Sequence, residues 1–185
     1  MARWHRAGYA QTGTLGPGAA WCWLTAAGMS ACGLGYPARP PALSRLAHIR
    51  AVLAARLWLE SGAAYQDGKA WWRSERRLRA ALPSNAGAAH VADAEICWPS
   101  IGTGPYAGQT WAVEVELTPK PVARTARIMT GLLSHPEYAQ EVYLTAPAAR
   151  PVVARAAAGL PAARGARVAI RDLPAAAFLP GVPRR

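Results

Sequence analysis

Four of the ten acidic residues of this chain fall within 24 positions, Asp93 and Glu95 and then Glu114 and Glu116, against 21 Lys and Arg overall. The two glutamates flank Val115 in the run Trp111–Leu117, whose apolar residues alternate with period two and predict a strand. Alternation puts Trp111, Val113, Val115 and Leu117 on one face and both glutamates on the other. Like charges about 7 Å apart on one strand face repel. A basic chain that keeps them there has a use for a cation or a proton. Residues His90–Trp98 predict a second strand, with Asp93, Glu95 and Cys97 on one face and Ala92, Ala94, Ile96 and Trp98 on the other. A hairpin of these two strands brings Asp93 to the end of the sheet that holds Glu114 and Glu116.

Three carboxylates there suit one hard dication, magnesium or manganese, which retains water and accepts substrate phosphate into its shell. Such an ion stabilises charge on the phosphate and lowers the pKa of a bound water. Lys120, one of two lysines, lies four residues past Glu116 and can steady the attacking water or the phosphate. Arg124 and Arg127 follow it at i+4 and i+7, so the three make one basic stripe on a helix. The expected catalytic set is Asp93, Glu114, Glu116 and Lys120, with the three carboxylates as metal ligands. The plain alternative is a solvated Glu-x-Glu on an exposed edge strand.

The elements that must position these residues read as follows. Residues 1–40 are irregular, with a Gly-rich tip at Gln11–Gly18, a short strand at Trp21–Leu24, and Thr25 as N-cap of a helix through about Cys32. Ser44–Glu60 predicts a helix on the spacing of Leu46, Ile49, Val52, Leu53 and Leu57, stopped by Ser61-Gly62. A basic and aromatic segment follows at Lys69–Arg79, where Arg73, Arg76, Arg77 and Arg79 beside Trp71 and Trp72 suit phosphate contact and stacking. Loops are expected at 83–89 and 100–109, a helix at 121–134, a strand at Glu141–Thr145, a helix at 149–159 with Pro151 in its first turn, and a strand at Arg167–Leu173. Strand–helix–strand units at the end predict an α/β fold with a mixed central sheet flanked by helices. The expected organisation is an N-terminal segment (1–40), an α/β domain (41–175) and a Pro/Arg tail (176–185).

The net charge of +11 points to a polyanion, DNA first, although a codon bias toward Arg and Ala explains part of it. The three cysteines, Cys22, Cys32 and Cys97, match no zinc spacing and leave an odd thiol in any disulfide scheme. No apolar run of seven follows the basic Met1–Arg6, and no uninterrupted apolar stretch reaches eighteen, so a soluble cytoplasmic protein without a membrane partner is expected. No Gly-rich phosphate loop or nucleophile elbow is present. His90 at a strand start is a candidate base, and Glu60 or Glu75 a candidate extra metal ligand.

An Asp on one strand and Glu-x-Glu on the next, after an initial helix, resembles the PD-(D/E)XK nuclease superfamily. More narrowly, Trp23–Gly28, Leu46–Val52, Arg73–Arg76, His90–Ala94, Trp111–Lys120 and Val142–Leu144 look like the replication-relaxation family of actinobacterial plasmids and integrative elements. The resemblance implies a winged-helix element before a nuclease-like domain. It also implies DNA as substrate, plasmid-replication or relaxosome proteins as partners, and a hydrolase role in replication, relaxation or mobilisation; a homo-oligomer is left open by the sequence. This chain has Ala92 where the family usually has Pro, and Glu116 where the superfamily usually has Lys. The rival expectation is a non-catalytic DNA-binding or partner-docking module on the same fold.

Overall fold

The computed structural model describes residues 2–15, 20–35, 37–83, 90–101 and 104–178. Expectations for the remainder of the Gly-rich tip, of the loops at 83–89 and 100–109, and of the terminal Arg184-Arg185 lie outside the described residues. Two compact units form, one covering the chain through Ile49 with Phe178, the other Arg50–Ala177.

The first unit begins with helix α1 (Ala2–Arg6) and strand β1 (Ala10–Gly13) and continues with β2 (Trp21–Leu24) and helix α2 (Ala26–Ala31). β1 and β2 pair antiparallel, Ala10 opposite Leu24 and Gly13 opposite Trp21. The first part of the expected tip, from Gln11, is therefore a strand, its unpaired sequence signal masked by Thr and Gly. Thr25 caps α2 as predicted: its Oγ1 accepts from Gly28 N at 3.1 Å and donates to Gly8 O at 2.6 Å. Gly28 has to be glycine, because a Cβ there would fall on the Tyr9 carbonyl oxygen.

Helix α3 (Leu46–Glu60) follows a 3-10 turn at Leu43–Arg45 and matches the expected span. Its buried side chains are Ala51, Ala54 and Ala55, whereas Leu53, Leu57 and Trp58 are exposed. The leucine spacing marked the helix but not its inward face: the residues that bury are the small ones, which let a helix approach its neighbours closely.

The second unit continues with α4 (Ala63–Asp67), β3 (Trp71–Ser74), α5 (Glu75–Ala81), β4 (Ala94–Cys97), β5 (Thr110–Glu116), α6 (Val122–Leu133), β6 (Tyr138–Thr145), α7 (Arg150–Ala158), α8 (Ala162–Gly165) and β7 (Val168–Asp172). The basic-aromatic segment is thus a strand joined directly to a helix. One five-stranded mixed sheet runs β3-β4-β5-β6-β7. β3, β4 and β5 are antiparallel neighbours, and β5, β6 and β7 are parallel, linked through α6 and α7. The predicted hairpin is present, with Ala94 opposite Val113 and Cys97 opposite Thr110.

Register puts Glu95, Ala112, Glu114, Glu116, Glu141 and Tyr143 on one face of the sheet. Apolar packing on that side joins Met129 of α6, Tyr143, Val153 and Ala156 in one cluster and Ala92, Ala112, Leu132 and Tyr138 in another. Ile96, Trp111, Val113, Val115, Val142 and Leu144 take the opposite face. One expectation is corrected here, and the alternative of a solvated edge strand falls. Ala92 packs with Ala112 on the glutamate side instead of beside Ala94, because β4 begins only at Ala94 and the alternation does not extend to it. The Glu-x-Glu strand is central, not an edge, and Glu114 and Glu116 are 3% and 6% exposed. Among the described residues no helix is long and apolar enough to cross a membrane.

Candidate functional site

Three consecutive residues of β5 each take one polar partner from outside the strand. Glu114 Oε1 meets His90 Nε2 at 2.9 Å. Val115 N donates to Asp93 Oδ2 at 2.9 Å. Glu116 Oε2 meets Lys120 Nζ at 2.6 Å. The middle contact follows from where β4 stops. Beyond Ala94 the ladder loses its main-chain acceptor, and the Asp93 carboxylate satisfies the β5 N–H in its place. The Asp93 carbonyl accepts from Glu75 N at 2.9 Å, which ties the same residue to the start of α5. Asp93, Glu114, Glu116 and Lys120 are therefore brought to one end of the sheet, around the C-terminal end of β5.

Burial sets the proton chemistry. Glu114 is pushed up to about 6, first by burial and further by the Asp93 charge, against the opposing hydrogen bond from His90. His90 is raised above its ordinary value, chiefly by the hydrogen bond to Glu114. The pair thus holds a proton near neutral pH, and His90, exposed on its other side, can pass one to or from solvent.

His90 is also a wall of a cleft of about 720 Å³, lined by Arg79, Arg124, Arg127, Ser134 and His135. Arg124 and Arg127 are exposed on α6. Lys120 precedes that helix and pairs with Glu116, so the expected stripe divides into one buried-site lysine and two cleft arginines. Arg79 keeps an i,i+4 partner in Glu75 at 2.8 Å. The sequence groups Arg79 with the arginines suited to phosphate contact, whereas sequence reasoning passed over His135. The signal for His135 was present, since Arg124, Arg127, Gly131 and His135 follow one helix face into its C-terminal turn.

The remaining candidates go elsewhere. Arg73 lies opposite Glu95 in the β3–β4 register and forms an ion pair with it; Glu95 also accepts from Tyr138 Oη at 2.5 Å. Arg76 and Arg77 are exposed on α5. Glu60 pairs with Arg56 at 2.8 Å.

A residue that sequence reasoning missed entirely is Glu141 of β6. It is fully buried; the Tyr143 hydroxyl lies close enough to lower its pKa, but among the described residues neither the Glu141 carboxylate nor that hydroxyl makes a hydrogen bond of full geometry. Burial, then the Glu114 charge, pushes its carboxyl up to about 8, so it is a neutral acid at neutral pH. Its period-two position in β6 was readable, but its burial depends on α6 and α7 covering that face.

The donor set is all hard oxygen, as magnesium prefers, and Asp93 lies close enough to Glu114 for their repulsion to raise the Glu114 pKa. Among the described residues, no three His, Cys, Asp or Glu side chains gather as a ready-made metal cluster. Each carboxylate is instead held by His90, the Val115 N–H or Lys120. No protein-family model, curated protein or solved structure matches the chain.

Proposed function

We propose that this chain is a DNA-binding, metal-dependent phosphodiesterase with a PD-(D/E)XK-like core, acting in the cytoplasm on plasmid or mobile-element DNA. The observation that carries this reading is His90, which bonds the buried Glu114 carboxylate and also lines the arginine cleft. A phosphodiester lying along Arg124 and Arg127 would present its backbone to His90, which reaches the Glu114 carboxylate. The hairpin β4–β5, the helix α6 and the parallel strand β6 support the nuclease-like reading of the core. The strand pair and following helix of the first unit support reading it as a reduced winged-helix element.

Asp93 and Glu114 would hold magnesium or manganese, with Glu116 beside them once Lys120 turns from it to the phosphate. The ion would supply charge stabilisation and a more acidic water. Lys120, Arg124 and Arg127 orient the phosphate and offset its charge. With Nε2 engaged by Glu114 Oε1, the His90–Glu114 pair accepts or returns the proton at His90 Nδ1. The test is to incubate supercoiled plasmid with magnesium or manganese and either this protein or its Glu114→Gln variant. Nicking by the first alone supports the proposal, and equal nicking by both rejects it.

A second reading, a non-catalytic DNA-binding or partner-docking module, is favoured by the Glu116–Lys120 and Val115–Asp93 contacts, which hold the carboxylates without a metal. It expects salt-sensitive DNA retention that does not change when a chelator is added.

A further inference from the structure

On the sheet face opposite the glutamates, Trp98, Tyr106 and Trp111 form a mutually packed trio, with ring centroids 4.5 Å (Trp98–Trp111), 4.7 Å (Tyr106–Trp111) and 5.3 Å (Trp98–Tyr106) apart. The trio walls a pocket of about 340 Å³ whose other sides come from Trp58, Tyr65 and Arg171. The wall is braced. Trp111 Nε1 donates to Gln109 Oε1 at 2.8 Å, and Gly68 leaves room for Trp98, since a Cβ there would lie 2.6 Å from its Cδ1. Trp58 is 46% exposed at the rim, where an apolar ring gains nothing from water.

The chemistry of the opening selects the occupant. Three packed rings offer π-faces to a flat heterocycle. Arg171 is exposed, donates only to the Ile170 carbonyl at 3.2 Å, and has no acidic partner among the described residues. Glu60, which reaches Tyr65, is already paired with Arg56. A guanidinium with no acidic partner among the described residues and a net charge of +11 disfavour a cationic guest in this aromatic pocket and favour an anionic one. The volume is at the low end for ligand sites, enough for one base with its sugar and phosphate and no more.

We infer that this pocket binds a single nucleotide unit, with the base against the Tyr106 and Trp58 rings and the phosphate on Arg171. The unit comes either from free nucleoside monophosphate or from a base at the end of a DNA strand. This site is separate from the carboxylates and stands whether or not they cleave DNA.

The experiment is calorimetric titration with deoxyadenosine monophosphate, deoxyadenosine and inorganic phosphate, repeated for Trp58→Ala and Arg171→Met, with thermal melts of all three proteins. The monophosphate should bind more tightly than deoxyadenosine. Trp58→Ala should weaken it about 5- to 150-fold, the range that loss of one stacking partner gives. Arg171→Met should bring the monophosphate down to the affinity of deoxyadenosine. Tighter binding of a short oligo(dA) than of the monophosphate, also lost in Trp58→Ala, assigns the site to a strand end; equal binding assigns it to the free nucleotide. Absence of binding, binding of phosphate alone as tight as the nucleotide, or affinities unchanged in both variants would overturn the inference.

Discussion

Replacing Glu141 by glutamine should make this protein more stable, and increasingly so as pH rises. Glu141 is fully buried with no hydrogen bond of full geometry among the described residues, and burial, against the opposing Tyr143 hydroxyl, pushes its carboxyl up to about 8 from an ordinary 4.5. Between those values the folded chain keeps a proton that the unfolded chain has released. The native state therefore binds more protons, and stability falls as pH rises, by at most about 1.4 kcal/mol per pH unit. The fall ends above about 8, where the group is ionised in both states. This is the reverse of a salt-bridged carboxylate, whose contribution is lost on acidification. Glutamine keeps the shape and the neutrality but cannot titrate. Relative to the wild type, Glu141→Gln should gain about 2–3 kcal/mol between pH 5 and pH 7, a large share of an ordinary domain's stability. Because Glu141 is neutral at those pH values, the substitution leaves the charge next to Glu114 unchanged. Urea unfolding followed by tryptophan fluorescence at pH 5, 6 and 7 measures the difference directly, and other titrating groups cancel between the two proteins. Parallel pH profiles would refute the reasoning, since they would mean that Glu141 is ionised in the fold or solvated within it.

Other consequences are open to the same kind of check. Arg124→Ala and Arg127→Ala should each weaken duplex DNA binding across sequences and reduce the slope of log affinity against log salt by about 0.9, whereas Arg73→Ala, whose guanidinium serves Glu95, should leave the slope unchanged. Thr25→Ala should cost the first unit about 1 kcal/mol by removing the cap on Gly28 N, seen as a lower midpoint in thermal unfolding. Gly68→Ala should destabilise the second unit by about 1–3 kcal/mol, because the added Cβ meets Trp98 at 2.6 Å and the Ala64 carbonyl at 2.8 Å, and near-ultraviolet circular dichroism should report the displaced indole.

What the sequence made readable was local. The alternation of Trp111–Leu117 located β5 and the face that carries Glu114 and Glu116, and the span of α6 and the capping by Thr25 were readable in the same way. What it hid depends on neighbours distant in sequence. Asp93 looked like a strand residue because period two continues through it, yet it lies past the end of β4, where its carboxylate completes the β5 ladder. The leucines of α3 dominate its pattern, but alanines make its buried face, since a close approach rewards small side chains. Arg73 reads as a phosphate contact until the β3–β4 register puts it opposite Glu95. Burial of the Glu-x-Glu pair, which decides its proton chemistry, follows from a parallel strand and two helices that no residue within that motif announces.

The central claim is that Asp93 and Glu114 are held beside an arginine cleft to serve a dication acting on DNA. Calorimetric titration of magnesium into the protein bound to a short duplex tests it most directly, with Asp93→Asn and Glu114→Gln as comparisons. Saturable magnesium uptake that disappears in both variants while duplex binding persists is the result the account predicts. Duplex binding of equal strength in all three proteins, with no magnesium uptake by any, would contradict it.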